Sequence, residues 1–322
     1  MVNTVLGSIS STELGRTLMH EHFVFGFPGF SGDTTLGGYN RNIAFDSAIS
    51  MVKRLKKYGV QTIVDPTPND CGRDPELLRD ISQKTGINII CATGYYYEGA
   101  GATTYFKYRN CYTDVETEIY EMFMTEIQEG IGSSGIKAGI IKLASSFNKI
   151  TDYERVFFKA AARVHKKTGV VILTHTTQGT MGPEQAELLI SEGVDPKRIV
   201  IGHMCGNADL TYQINTLQKG VHIGFDQFGI QGILNANLDS TRLKCLITLI
   251  NMGYKKRLLL STDSIILKLG RPMPYPEEIR RLLLNSHAAH LFENILPYLE
   301  DQGFNDEYTN IFLNTNPMSL FA

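Results

Sequence analysis

The chain alternates short runs rich in Val, Ile and Leu with longer stretches in which apolar residues recur every three or four positions. A period of two marks a half-buried strand and a period near 3.6 an amphipathic helix, so the pattern reads as repeated βα units. Eight strands are predicted, over Thr17–Phe25, Gln61–Thr67, Ile87–Tyr96, Ala138–Ser145, Gly169–Thr176, Arg198–Met204, Val221–Phe228 and Arg257–Ser264. Helices are predicted over 46–58, 75–85, 114–129, 152–167, 183–193, 209–218, 239–252 and 276–299. The fifth of these is the best delimited, with Gly182 as N-cap, Pro183 at the first helical position and Gly193 as its stop.

Eight βα units in succession predict an α/β fold built as a single (β/α)8 TIM barrel. An open doubly wound sheet shows the same alternation. Its first strand would ordinarily lead into a Gly-rich turn, however, whereas here it bears His20-Glu21-His22 near its end. The irregular segments Gly26–Gly38, Thr67–Arg73 and Ser264–Pro276 each follow a predicted strand, on the face where a barrel carries its active site.

Composition narrows the picture. A length of 322 residues accommodates one barrel of about 250 residues with insertions, and no linker rich in Pro, Gly or Ser divides it. One domain over residues 1–322 is therefore expected. Hydrophobic residues at 43% and charged residues at 20% support a large core and exclude general disorder. Basic and acidic residues number 31 and 33 with no long run of one sign, which argues against nucleic acid or an anionic membrane as partner. Five cysteines (Cys71, Cys91, Cys111, Cys205, Cys245) without CxxC spacing read as reduced thiols of a cytoplasmic protein. Residues 1–10 lack the basic-then-apolar order of a signal peptide, and no apolar run approaches the roughly 20 residues of a membrane span.

The chemistry lies at the strand ends. Strand periodicity sends His20 and His22 to one face and Glu21 to the other, and two imidazoles on one face can share a metal ion. The fourth strand carries Lys142 after an apolar run, the fifth ends in His175, the sixth in His203 and the eighth in Asp263. A single His in such a place is ordinarily a hydrogen-bonded polar residue, and a single Lys can snorkel to water. Together, four of the eight histidines, one Lys and one Asp occupy equivalent positions on five strands. Unpartnered polar groups crowded into one region would be costly, and metal binding satisfies them jointly. Lys142 is the odd member, because an ammonium offers no lone pair. A lysine neutralised by neighbouring cations can add carbon dioxide, and the resulting carbamate has two oxygens able to bridge two metals.

In these residues the chain resembles the phosphotriesterase family of the amidohydrolase superfamily, and within it the phosphotriesterase-like lactonases. The matching set is His20-Glu21-His22, Lys142, His175, His203 and Asp263, in that order. Supporting stretches are Val64–Asp70, Ala92–Tyr97, Gly202–Gly206 and Phe225–Gly229. The resemblance implies two divalent metal ions, zinc foremost, with iron, cobalt or manganese as alternatives. It places His20, His22 and Asp263 on the more buried metal and His175 and His203 on the more exposed one, with carboxylated Lys142 and a hydroxide bridging them. Asp263 would receive and relay the proton. It also implies a homodimer and a small-molecule lactone as substrate, acyl-homoserine lactones or other γ- and δ-lactones, with promiscuous organophosphate triesterase activity. The alternatives are a phosphorylated sugar-lactone hydrolase and a dedicated phosphotriesterase. Tyr96 matches a substrate-contacting tyrosine after the third strand, with Tyr95 and Tyr97 as register neighbours. Two positions depart from the related lactonases: Gln227 stands where they tend to have Arg, and Thr262 where they often have His. The first should shift substrate preference and the second touch only a residue behind the ligands.

Overall fold

The computed structural model describes residues 1–322 apart from Ala102 and Leu234. A hairpin of β1 (Val2–Thr4) and β2 (Gly7–Ile9) precedes the barrel. The barrel strands are β3 (Arg16–Leu18), β5 (Val60–Asp65), β6 (Asn88–Gly94), β7 (Ile140–Ser145), β8 (Val171–Thr176), β9 (Ile199–Ile201), β10 (His222–Phe225) and β11 (Leu258–Leu260). Each pairs in parallel with the next in sequence. The first and last strands meet beyond their ends, where β4 (His22–Phe25) runs parallel to β12 (Ile265–Lys268) and Asp263 N donates to His20 O at 3.0 Å. The outer layer includes α1 (Arg41–Lys56), α2 (Pro75–Thr85), α3 (Thr103–Arg109), α4 (Val115–Gln128), α5 (Asp152–Thr168), α6 (Gly182–Ser191), α7 (Leu210–Leu217) and α8 (Asp239–Asn251). The architecture is the (β/α)8 barrel that the alternating pattern predicts.

Local chemistry sets the helix ends. Asp74 caps α2 through Leu77 N with Pro75 behind it, and Gly86 closes the helix in the left-handed conformation. Thr151 and Glu154 form a reciprocal capping box on α5. At α6 the cap sits one residue earlier than expected. Met181 holds it with φ 65°, and Gly182 begins the helix because its amide donates to Tyr212 Oη at 2.6 Å.

The strands alternate between two cores. Ile89, Cys91, Ile141, Leu143 and Ile172 pack outward under the helices. Val64, Ile90, Ala92, Ile140, Val171, Leu173, Val200 and Leu259 fill the barrel interior, joined by Leu14, Leu320 and Phe321. Full burial of each such aliphatic side chain is worth roughly 1.5–3 kcal/mol, so this alternation fixes the register. The same parity places function: Lys142 follows Ile140 by two residues and His175 follows Leu173 by two, so both face the interior.

Several features differ from the pattern, among them the hairpin β1–β2 and the strand β12 within the segment Ser264–Pro276 read as irregular. The run Thr17–Phe25 is not one strand: β3 ends at Leu18 because Glu21 N bonds Val64 O while His22 N bonds Ser264 O at 2.8 Å, so the chain changes neighbours there. The span 276–299 is not one helix. Only α9 (Glu277–Leu282) and α10 (Leu296–Asp301) are helical at its ends, with a π turn at Leu291–Ile295 leading into α10. Pro297 lacks an amide at the junction of the π turn with α10, and the non-helical stretch 283–289 before it leads to His290, which lies against Asp239 Oδ2 at 2.8 Å. Finally, α3, α11 (Asp306–Asn310) and α12 (Asn316–Phe321) carry no predicted helix, being short and fixed by packing rather than by periodicity.

His222 on β10 is 1% exposed, and its Nδ1 has no partner. Burial, reinforced by Arg257, pushes its pKa down to about 3 from 6.5. The folded ring is therefore neutral while the unfolded one charges below pH 6.5. Its contribution to stability is whole above pH 6.5 and is lost as pH falls towards 3, by up to about 1.4 kcal/mol per pH unit. In urea unfolding from pH 7 to 4, His222→Gln is expected to lose stability less steeply than the parent. Parallel slopes would show that this ring does not titrate with unfolding.

Candidate metal centre

The expected side chains converge at the C-terminal mouth of the barrel. His20 and His22 flank the break between β3 and β4. Their Nε2 atoms lie 3.5 Å and 3.2 Å from Asp263 Oδ1. Lys142, 2% exposed, rises from β7 with Nζ 3.2 Å from His20 Nε2. The His203 ring lies 4.7 Å from those of His20 and His175, centroid to centroid. His175, the penultimate residue of β8, has Nε2 turned to Thr177 Oγ1 at 3.3 Å. His203 and Asp263 both adopt left-handed backbone conformations, φ 59° and 52°. Such strain at non-glycine residues persists only where surrounding contacts enforce it.

A second tier fixes the imidazoles from behind. Asp226 takes His20 Nδ1 on one oxygen and His203 Nδ1 on the other, each at 3.0 Å, and its Oδ1 also accepts His203 N at 2.9 Å. Thr67 Oγ1 lies 2.7 Å from His22 Nδ1 and is itself held by Asp65. With Nδ1 engaged, the Nε2 atoms of His20 and His22 face Asp263, an arrangement typical of metal-ligating histidines. His20, His22 and Asp263 bring nitrogen and carboxylate donors close enough to share one ion. Imidazole and carboxylate donors around an otherwise uncompensated buried lysine fit divalent metal binding.

The electrostatics agree. Burial lowers Lys142 to about 8, against the opposing pull of Asp263 and Asp226. Burial, then Lys142, lowers His20 to about 3. Burial also works against a charged His22, but Asp263 and Asp65 overcome it and raise the ring to about 9. Asp263 resists its own burial because His203, His20 and His22 hold it well below the usual carboxylate range. The metal-free centre thus already sets anionic carboxylates beside an amine that is easily neutralised.

A model of the phosphotriesterase family matches residues 1–321. The chain belongs to the phosphotriesterase family. Organophosphorus hydrolase from Deinococcus radiodurans is 51% identical, with a TM-score of 0.98 over 100% of this chain and 96% of that one. A variant of the phosphotriesterase-like lactonase from the same organism is 50% identical, with a TM-score of 0.98 and full coverage of both chains. Aryldialkylphosphatase from Saccharolobus solfataricus is 34% identical over 98% of this chain and 97% of its own length. This family member is accordingly a hydrolase acting on small molecules.

Around the centre this phosphotriesterase-family chain forms a cavity of about 430 Å³. Phe25, Phe27, Tyr96, Tyr97 and Ile265 line it, with Ile230, Ile233 and Ala236 from the loop after β10. That loop was invisible as a pocket wall in the sequence, although Gly229 and Gly232 mark its turns. Phe30, Tyr95, Phe228, Ile266 and Leu267, apolar residues of the same strand ends, pack into the core instead. Of the three tyrosines, Tyr96 lies 4.9 Å from His175 and Tyr97 stacks on that ring, both lining the cavity, whereas Tyr95 turns away to Phe106 and Phe157. Gln227 lines the cavity, but its side-chain amide is spent on Asp263 Oδ2 at 3.1 Å. Thr262 Oγ1 donates to Glu21 Oε2 at 2.6 Å and is not among the residues lining the cavity. His165 and His290 are buried helix-packing residues bonded to Val170 O and Asp239. Of the five free cysteines, only Cys111 is exposed. No helix among the described residues is long and apolar enough to cross a membrane.

Proposed function

We propose that the protein is a metal-dependent lactonase hydrolysing acyl-homoserine lactones and other γ- or δ-lactones, with weak side activity on organophosphate triesters. The observation that carries this reading is the cavity lining: Phe25, Phe27, Ile230, Ile233 and Ile265 beside the His, Lys142 and Asp263 donors. An apolar lining of that kind suits an acyl chain, whereas a phosphotriester needs separate pockets for three bulky substituents. Relatives support both chemistries. One solved neighbour, 50% identical, is described as an organophosphate hydrolase engineered from a weak promiscuous lactonase template.

His20, His22 and Asp263 would hold one divalent ion and His175 and His203 a second, with carboxylated Lys142 between them. Zinc is the first candidate, followed by iron, cobalt and manganese. The pair would supply Lewis acidity and a water made acidic enough to attack at neutral pH. Lys142 reaches its anionic form by adding carbon dioxide to the neutral amine and releasing one proton, a step its lowered pKa favours. Asp263, charged at neutral pH, accepts the proton of the attacking water as the new C–O bond forms. It returns that proton to the alkoxide when the ring C–O bond breaks. Gln227 fixes the rotation of this carboxylate, and Tyr96 walls the carbonyl-binding side. The 322 residues would work as one catalytic domain, in a cytoplasmic homodimer.

Hydrolysis of a phosphorylated sugar lactone has one relative behind it, a phospho-furanose lactonase from Mycoplasmopsis synoviae that is 30% identical. The described cavity residues, however, include no Arg and no Lys besides Lys142. Of the basic loop residues that could serve such a substrate, Lys107, Arg109 and Arg271 are paired with Glu98, Glu118 and Asp33, and Lys268 lies over the Phe27 ring with its ammonium on Tyr275 Oη.

Catalytic efficiency on an acyl lactone is expected to exceed that on a diethyl aryl phosphotriester by at least ~100-fold, or ~2.7 kcal/mol in transition-state binding. One metal-loaded preparation should be assayed on both, with a phospho-lactone as third substrate. A triester turned over as well as the lactone, or a phospho-lactone preferred to both, would replace this reading.

A further inference from the structure

Glu21 lies between two proposed ligands but faces away from them, 2% exposed, and its carboxylate accepts five hydrogen bonds from one short segment. Oε1 takes Ser261 Oγ at 3.0 Å and Thr262 N at 2.8 Å. Oε2 takes Ser264 N at 2.9 Å and the hydroxyls of Thr262 and Ser264, each at 2.6 Å. The two backbone amides thus captured are those on either side of Asp263, which itself stands at φ 52°. Its own amide is taken by His20 O at 3.0 Å, and Ser261 Oγ accepts His20 N at 3.0 Å.

We infer that Glu21 is a positioning residue whose carboxylate clamps the amides of Thr262 and Ser264 and so holds Asp263 in the left-handed conformation that turns its side chain to the metal centre. The chemistry requires a carboxylate. Hydroxyls can rotate to donate or accept, but two backbone N–H groups can only donate, and they lie on different oxygens of Glu21. An amide in its place must set an NH2 against one of them, whichever way it turns. A non-glycine residue held left-handed relaxes once its enforcing contacts weaken. Because Glu21 sits between His20 and His22, the clamp also ties the mutual position of all three donors to a single side chain.

The inference rests on Asp263 being a ligand, and the test separates the two ideas. Cobalt(II) is titrated into metal-free protein, with affinity read from its visible absorption and stoichiometry from metal analysis. Asp263→Asn tests the ligand reading alone. Glu21→Gln and Glu21→Asp, the second keeping the charge but withdrawing it by one methylene, are each expected to weaken Co²⁺ binding at least ~10-fold, in line with losses when groups behind metal ligands are removed. Ser264→Ala and Thr262→Val keep both amide bonds and should bind Co²⁺ within about 3-fold of the parent. The clamp is overturned if either folded Glu21 variant binds like the parent while Asp263→Asn does not, or if the hydroxyl variants lose as much as Glu21→Gln. The parent offers a check that needs no variant: in the metal-free protein the amides of Thr262 and Ser264 should be among the slowly exchanging ones. Rapid exchange of either overturns the clamp.

Discussion

Lys142→Ala is expected to abolish hydrolysis, with kcat/KM falling at least ~1,000-fold, and to reduce the metal content from two ions per chain to one or none. Truncation removes the group proposed to join the two ions, and nothing beside it can substitute. The carboxylates nearby are Asp226, spent on two histidines, and Asp263, shared between His20 and His22. Loss of preorganised charge stabilisation in a water-poor site typically costs 10²–10³-fold per group, and here the ions it holds would be lost as well. The space left should admit a small carboxylate, so acetate or propionate at high concentration should restore part of the activity and the second ion. Metal analysis and kinetics with and without the acid decide the matter. Two ions retained without Lys142, and no response to the acid, would remove the bridge from the mechanism.

Asp263→Asn should lower kcat by ~10²–10⁴-fold, the range lost with a positioned proton-transfer group. The substitution keeps size and one oxygen, so the turn after β11 should persist and the fall should lie mainly in turnover. The side chain is 17% exposed, open to the cavity, while three histidines hold it charged. Its Oδ2 accepts Gln227 Nε2 while its Oδ1 faces His20 and His22, and the single oxygen of an amide can serve only one of these two sides. Near-normal turnover with both ions bound would exclude Asp263 as proton acceptor.

The members of the proposed ligand set were legible as polar residues ending apolar runs, but parity alone gives the direction only of Lys142 and His175; His203 and Asp263 lie past their strands in left-handed conformations. Ile140 and Leu173 point inward, so Lys142 and His175 must as well. What stands behind the ligands was not legible. Asp226 and Asp65 read as carboxylates near the mouth, but only the folded chain shows Asp226 bracing His20 and His203 at once across 206 and 23 residues of sequence. Gln227 reads as a pocket residue in place of an arginine, and the structure turns its amide onto Asp263.

Sequence by itself determined the barrel, the order of its strands and the identity of the polar residues at their ends, because hydrophobic alternation is a local property that every strand carries on its own. Only the tertiary structure decided where β3 breaks, that Tyr96 and Tyr97 but not Tyr95 face the cavity, and that the loop after β10 supplies Ile230 and Ile233. It also decided that Glu21 would grip the turn at Asp263, 240 to 243 positions along the chain. Those outcomes depend on which backbone groups remain unpaired once the barrel closes. A buried amide or carboxylate takes whatever partner closure brings within reach, and no local pattern records that choice.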